Sequence, residues 1–171
     1  MKSKTILIAC LLSGLWGGAV AAAESWGLPG EEKTRFEATV VDALCGLTGD
    51  CPAQCGGGKR QLGLLTDAGE MILPLKNVVP FAGAADELAE FCGMRVVADG
   101  LFATNRGMRV FALQFIRRAP DGEWRRANRF QADWAAANGV AANSPQAQEW
   151  FRNDPLVQQV IAAGGKLGTG E

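Results

Sequence analysis

MRVVADGLFATNRGMRVFALQFIR, residues 94–117, reads as two strands and the turn between them. Met94 to Thr104 forms one strand. Met108 to Arg117 forms the next, with Val110, Ala112, Gln114 and Ile116 alternating against Phe111, Leu113 and Phe115. Alternation of this kind sends successive side chains to opposite faces of a sheet. Asn105-Arg106-Gly107 separates the two runs and places glycine where a tight turn needs a positive φ.

Upstream of this hairpin, Ala82 to Phe91 is expected to be a short helix. Leu88 and Phe91 face inward, Asp86, Glu87 and Glu90 outward, and Gly93 provides the stop. Further back, Arg60–Thr66 and Glu70–Leu75 read as strands joined across Asp67-Ala68-Gly69. Arg35–Leu44 is a strand with Phe36, Ala38 and Val40 on one face and Glu37, Thr39 and Val41 on the other. The order is strand, strand, strand, helix, strand, strand. From Phe36 to about Ile116 it resembles the OB-fold, a five-stranded Greek-key barrel with a helix between strands three and four. The fold class expected is therefore mainly β, an OB-fold-like barrel over residues 35–119.

Residues 120–171 change character and read as a helical extension packed on the barrel. Arg129 to Asn138 is helical and closed by Gly139. Ser144-Pro145 and Asp154-Pro155 are each a capping residue followed by a proline at the first helical position. They open helices to about Arg152 and over Leu156–Ala163. Trp134, Trp150 and Phe151 are the expected anchors, since such short helices do not hold alone.

The beginning of the chain reads as an address. Lys2 and Lys4 precede an apolar run from Thr5 to Val20, and Ala21-Ala22-Ala23 supplies the small residues a signal peptidase requires. Residues 1–23 are expected to be a signal peptide cut near Ala23, and 24–34 a flexible lead-in. Cys10 follows Leu7-Ile8-Ala9 in a lipobox-like setting, but apolar sequence continues well past it, so it belongs to the discarded segment. The expected location is the bacterial periplasm. No membrane span is expected after cleavage, because nothing beyond residue 23 is long or apolar enough.

Taking the 23 leader residues from 171 leaves 148, enough for one domain with its own core. Without Lys2 and Lys4 the formal charge moves from −1 to −3, which argues against nucleic acid as a partner. There is no histidine and no tyrosine. That removes Ser–His couples, His-based acid–base work and the usual zinc and copper(II) ligand sets.

Four cysteines lie beyond the leader: Cys45, Cys51 and Cys55 in CGLTGDCPAQCGGGK, and Cys92. In an oxidising compartment they are expected to form disulfides. Of three possible pairings, the barrel topology favours Cys45–Cys92, with Cys51–Cys55 closing locally. The alternative is a copper(I) site at Cys51 and Cys55, with Met94 or Met108 as a soft thioether. The Cys-x-x-x-Cys spacing resembles that of the Sco copper chaperones in spacing alone, and the histidine those proteins add is absent here. A thiol–disulfide redox role is a lesser alternative. Otherwise no cofactor is expected.

Gly56-Gly57-Gly58-Lys59 lacks the spacing of a phosphate loop, and the glycines permit a sharp re-entry into the second strand. Lys59, Arg106 and Arg109 are candidates for a binding rim, with the cysteine loop and Arg106 flanking one site by analogy with OB-folds. The cluster of Arg117, Arg118, Arg125, Arg126 and Arg129 around Trp124 is read as solvated side chains whose stems cover apolar surface. Together these readings point to an exported, disulfide-stabilised, non-enzymatic binding or accessory protein for a protein or small ligand.

Overall fold

The computed structural model of the chain describes residues 22–58, 60–77 and 83–164. The expected leader lies almost wholly outside the described residues, as do Lys59 and the first residue of the helix expected from Ala82. In chain order the elements are β1 (Glu31–Asp42), α1 (Ala43–Thr48), β2 (Leu62–Leu65), β3 (Met71–Ile72), β4 (Pro74–Lys76) and α2 (Ala85–Leu88). They continue with β5 (Arg95–Asn105), β6 (Met108–Arg118), β7 (Arg125–Arg126), α3 (Arg129–Ala137), α4 (Pro145–Gln148), α5 (Trp150–Asn153) and α6 (Pro155–Gly164). Single 3-10 turns occupy Cys55–Gly58 and Ala89–Phe91. Among the described residues no helix is long and apolar enough to cross a membrane.

The strands form one seven-stranded sheet in the order β3-β2-β1-β5-β6-β4, with β7 also on β6. The antiparallel neighbourhood expected for the first and fourth strands is present as β1 on β5, running from Glu31↔Ala103 to Thr39↔Arg95. From Thr39 to Asp42, β1 pairs on its other edge with β2. The strand starts four residues before Arg35 and lies between two neighbours.

The chain differs from a closed five-stranded barrel. The strand expected over Glu70–Leu75 is broken at Leu73. Met71–Ile72 pairs antiparallel with β2, and Pro74–Lys76 pairs parallel with β6. Pro74 has no N–H to give a ladder, so a continuous strand fails there. Leu73, between the two pieces, is half exposed. A further strand, β7, lies at the start of the helical extension, ahead of the first helix expected there. The sheet is open and mainly antiparallel.

A β-bulge departs from the simple alternation of β6. Asp99 opposes Phe115 and Gly100 opposes Leu113, which leaves Gln114 as the extra residue. The core side of β6 switches there: Phe111 and Leu113 point into the core before the bulge, and Ile116 after it. Gly100 faces this crowding. A Cβ at that position would lie 2.2 Å from the Ala112 carbonyl oxygen. The freed Gln114 carbonyl accepts from Ala127 N–H at 2.9 Å, drawing in the chain after β7.

Val40, Leu64, Leu88, Val96, Phe102, Phe111, Leu113 and Ile116 make up the centre of the core. Phe36, Phe102 and Phe111 form an aromatic trio with centroids 4.9–6.2 Å apart. Leu88 and Phe91 are buried in the same cluster, as the helix pattern requires. Glu87 does not face water as expected. It is buried, and its Oε2 accepts from Arg129 N–H at 2.7 Å. Asn128, the residue at the α3 N-cap position, makes no side-chain capping bond, so Glu87 supplies the cap from another helix and ties the extension to the sheet. Burial pushes the Glu87 carboxyl above the usual glutamate range, against the backbone bonds from Arg129 and Phe130.

The extension follows its caps. Ser144 Oγ accepts from Ala147 N–H, and Asp154 Oδ1 accepts from Val157 N–H at 3.0 Å. The middle helix divides at Glu149, whose φ of −108° and ψ of 35° leave the helical region. Phe130 and Trp150 pack with centroids 4.5 Å apart, and Trp134 Nε1 donates to Asp154 Oδ2. The fully buried positions are the smaller Gln131, Ala135 and Ala147, with the three expected aromatic anchors half exposed above them.

Candidate functional site

The cysteine loop begins where β1 ends. Asp42 is buried at the last position of the strand, and its Oδ1 accepts from Leu44 N–H at 2.9 Å and Cys45 N–H at 3.1 Å. This is an N-cap, so the chain turns into α1 rather than running straight on. Gly49, at φ 75°, closes α1 with its N–H on the Cys45 carbonyl. Arg60 grips the loop from the far side. It donates to the Asp50 carbonyl at 2.7 Å and to the Asp50 carboxylate at 2.8 Å, and lies 3.6 Å from Asp42 Oδ2.

This local geometry reverses the expected cysteine pairing. The disulfides are Cys45–Cys51, with Cα atoms 4.5 Å apart, and Cys55–Cys92, with Cα atoms 5.9 Å apart. The premise about neighbouring strands was sound. Val40 exchanges backbone bonds with Gly93 and Met94, so Cys92 lies beside β1. Cys45, however, stands on α1, turned away by the Asp42 cap. The 3-10 turn at Cys55–Gly58 brings Cys55 to Cys92 instead. Gly56 and Gly57 make that turn with φ of 70° and 51°, and a Cβ on Gly56 would sit 2.9 Å from Leu62 Cδ2.

The two bonds differ in setting. Cys92 packs against the core cluster, whereas Cys51 and Cys55 are exposed. Leu44 and Leu47 on α1 project into solvent, 42% and 72% exposed. A cavity of 190 Å³ beside the long bond is lined by Cys55, Gly56, Arg60, Leu62, Ala85, Asp86 and Ala89.

The thiols proposed for copper(I) belong to different bonds, so both disulfides would have to be reduced before Cys51 and Cys55 could act together. Met94 lies at the open end of the β5–β6 hairpin, where Arg118 approaches its sulfur at 3.2 Å. Met108 lies at the tip, paired with Asn105 and 64% exposed. The eleven residues of β5 hold the two thioethers apart. Among the described residues, no group of three or more Cys, Asp or Glu is arranged to hold a metal.

The expected rim is also rearranged. Arg106 sits in the β5–β6 turn with φ 50°. The β1–β5 register puts that turn beyond Glu31, at the start of β1, while the cysteine loop follows Asp42 at its end. Arg109 is engaged elsewhere, stacked 3.5 Å from the Phe102 ring centroid and 3.5 Å from Glu70 Oε1.

The arginine cluster is held against aromatic faces and carboxylates. Trp124 lies between Arg35 and Arg117, at 4.7 and 4.6 Å, and Arg126 covers Phe115 at 5.0 Å. Arg125 and Arg129 both pair with Glu90. The stems do cover apolar surface, around a cavity of 310 Å³ that Glu87 and Glu90 also line.

Residues to which the sequence reading gave no role in holding a site organise these regions. Asp42, Arg60 and Glu87 are polar residues at element ends that fix the loop and the extension. Asp42 carried a readable signal as a capping residue before an apolar turn. Comparison of the chain with protein-family models, with curated proteins and with solved structures gave no match.

Proposed function

We propose that the chain is an exported, non-enzymatic binding or accessory protein of the bacterial periplasm, acting on a protein or small ligand. The observation that carries this reading is that all four cysteines beyond the leader are joined in two disulfides. Such bonds persist in oxidising compartments and are rare where cytosolic reductants reach them. The basic start, apolar run and alanines of residues 1–23 agree with that compartment.

The sheet is read as an open relative of the OB arrangement. In support, the first and fourth expected strands are antiparallel neighbours, and β4, the second half of the third, runs parallel beside the last. The cysteine loop is the binding rim in this reading. A loop closed by two disulfides, an N-cap and Arg60 loses little freedom on docking, and it presents Leu44 and Leu47 outward.

The test is to express the full chain in a bacterial host without added reductant, separate periplasm from cytoplasm, and titrate free thiols on the denatured protein. Recovery from the periplasm with no reactive thiol is expected. Accumulation in the cytoplasm, or four free thiols on the periplasmic protein, would overturn the reading.

A further inference from the structure

The residues around the expected cut are part of the fold. Ala23 is buried, and its N–H donates to Asp99 Oδ1 at 2.9 Å. Glu24 N–H donates to Gln114 Oε1 at 2.8 Å, and its carbonyl accepts from Gln114 Nε2 at 2.7 Å. Asp99 and Gln114 are the residues at the β5–β6 bulge, and both are buried. The other oxygen of Asp99 takes Arg35 Nε at 2.6 Å. A buried carboxylate needs donors for both oxygens, and Ala23 N–H serves one of them.

We infer that the leader is removed between Ala21 and Ala22, so that Ala23 remains in the mature chain with its N–H on Asp99. The inference rests on the export reading. Two cuts place small residues at both the first and third positions before the scissile bond, one after Ala23 and one after Ala21. A cut after Ala23 discards that residue and strips Asp99 Oδ1 of its donor. A cut after Ala22 puts Val20, a branched residue of the apolar run, at the third position before the bond. A cut after Ala21 uses Ala19 and Ala21, and leaves the ammonium on Ala22, which is exposed. The step is a hydrolysis by the export peptidase. The Ala21–Ala22 C–N bond breaks, the hydroxyl of water goes to the Ala21 carbonyl carbon, and its hydrogen goes to the Ala22 nitrogen. The products end as a carboxylate on Ala21 and an ammonium on Ala22. The peptidase works on the unfolded chain. The fold then determines which product buries Asp99 with its partners in place.

Intact mass of the protein accumulated in the periplasm decides the matter. A mature chain beginning at Ala22 is expected. A chain beginning at Ala23, Glu24 or elsewhere overturns the inference and leaves export standing. A full-length chain confined to the cytoplasm overturns export itself. The anchoring is tested separately by thermal unfolding of oxidised chains released from a cleavable fusion. The chain from Ala22 should melt above the chain from Glu24, and Asp99→Ala should remove the difference. Equal melting temperatures in the parent pair would overturn the anchoring.

Discussion

Cys55–Cys92 spans 37 residues and joins the loop to a residue three positions before β5, against the core; Cys45–Cys51 spans six and joins the loop to itself around α1. The two bonds share the CPAQC segment and have different consequences. One restricts how far the two halves of the sheet can separate in the unfolded chain. The other restricts a turn that Asp42, Gly49 and Arg60 already hold. Proximity in sequence says little about which cysteine is architectural.

The contrast can be broken most directly by removing the long bond. In the chain-entropy picture, Cys55→Ser with Cys92→Ser should lower unfolding stability by about 4 kcal/mol, read from denaturant midpoints of the oxidised protein. Cys45→Ser with Cys51→Ser should cost about 2 kcal/mol on the same scale, with the cooperativity of unfolding unchanged. Equal losses would show that the short bond also constrains the sheet.

Smaller effects sharpen the local picture. Asp42→Ala removes the α1 cap and should cost about 1 kcal/mol, whereas Asp42→Asn keeps an acceptor and should retain most of that stability. Amide exchange of Leu44 and Cys45 is the direct readout, since those N–H groups bond to Asp42.

The α2 segment leading to Cys92 carries a titration signature that the short bond lacks. Burial raises the Glu87 carboxyl, so the folded chain holds that proton to higher pH than the unfolded one. Stability from this group is therefore full below the ordinary glutamate range and is lost as pH rises through the raised value. Glu87→Gln keeps an acceptor for Arg129 N–H and should flatten that slope, measured as unfolding midpoint against pH. An unchanged slope would locate the titration elsewhere.

Much of the sheet was legible because alternation and turn residues are local signals. The β5–β6 hairpin, the β1–β5 neighbourhood and the Ser144 and Asp154 caps all follow from residues within a few positions of one another. The bulge at Gln114 was not legible, because a single inserted residue leaves the alternating composition of β6 intact while reversing its faces. The break at Leu73 had a visible cause in Pro74, but its outcome depends on β6 standing on the other side. The cysteine pairing failed at one point. Reading Cys45 as the end of a strand ignored Asp42, whose side chain turns the backbone three residues earlier. Glu87 looked like an exposed helix charge because its partner, the start of α3, lies 42 residues away.

The central claim is an oxidised chain with this particular pairing, and disulfide mapping of the protein recovered from the periplasm tests it most directly. Cleavage before Asp50 separates Cys45 from Cys51, and fragmentation before Pro52 separates Cys51 from Cys55. Linked peptides joining Cys45 to Cys51 and Cys55 to Cys92 are the expected result. Cys45 linked to Cys92, or unlinked thiols in the loop, would contradict it.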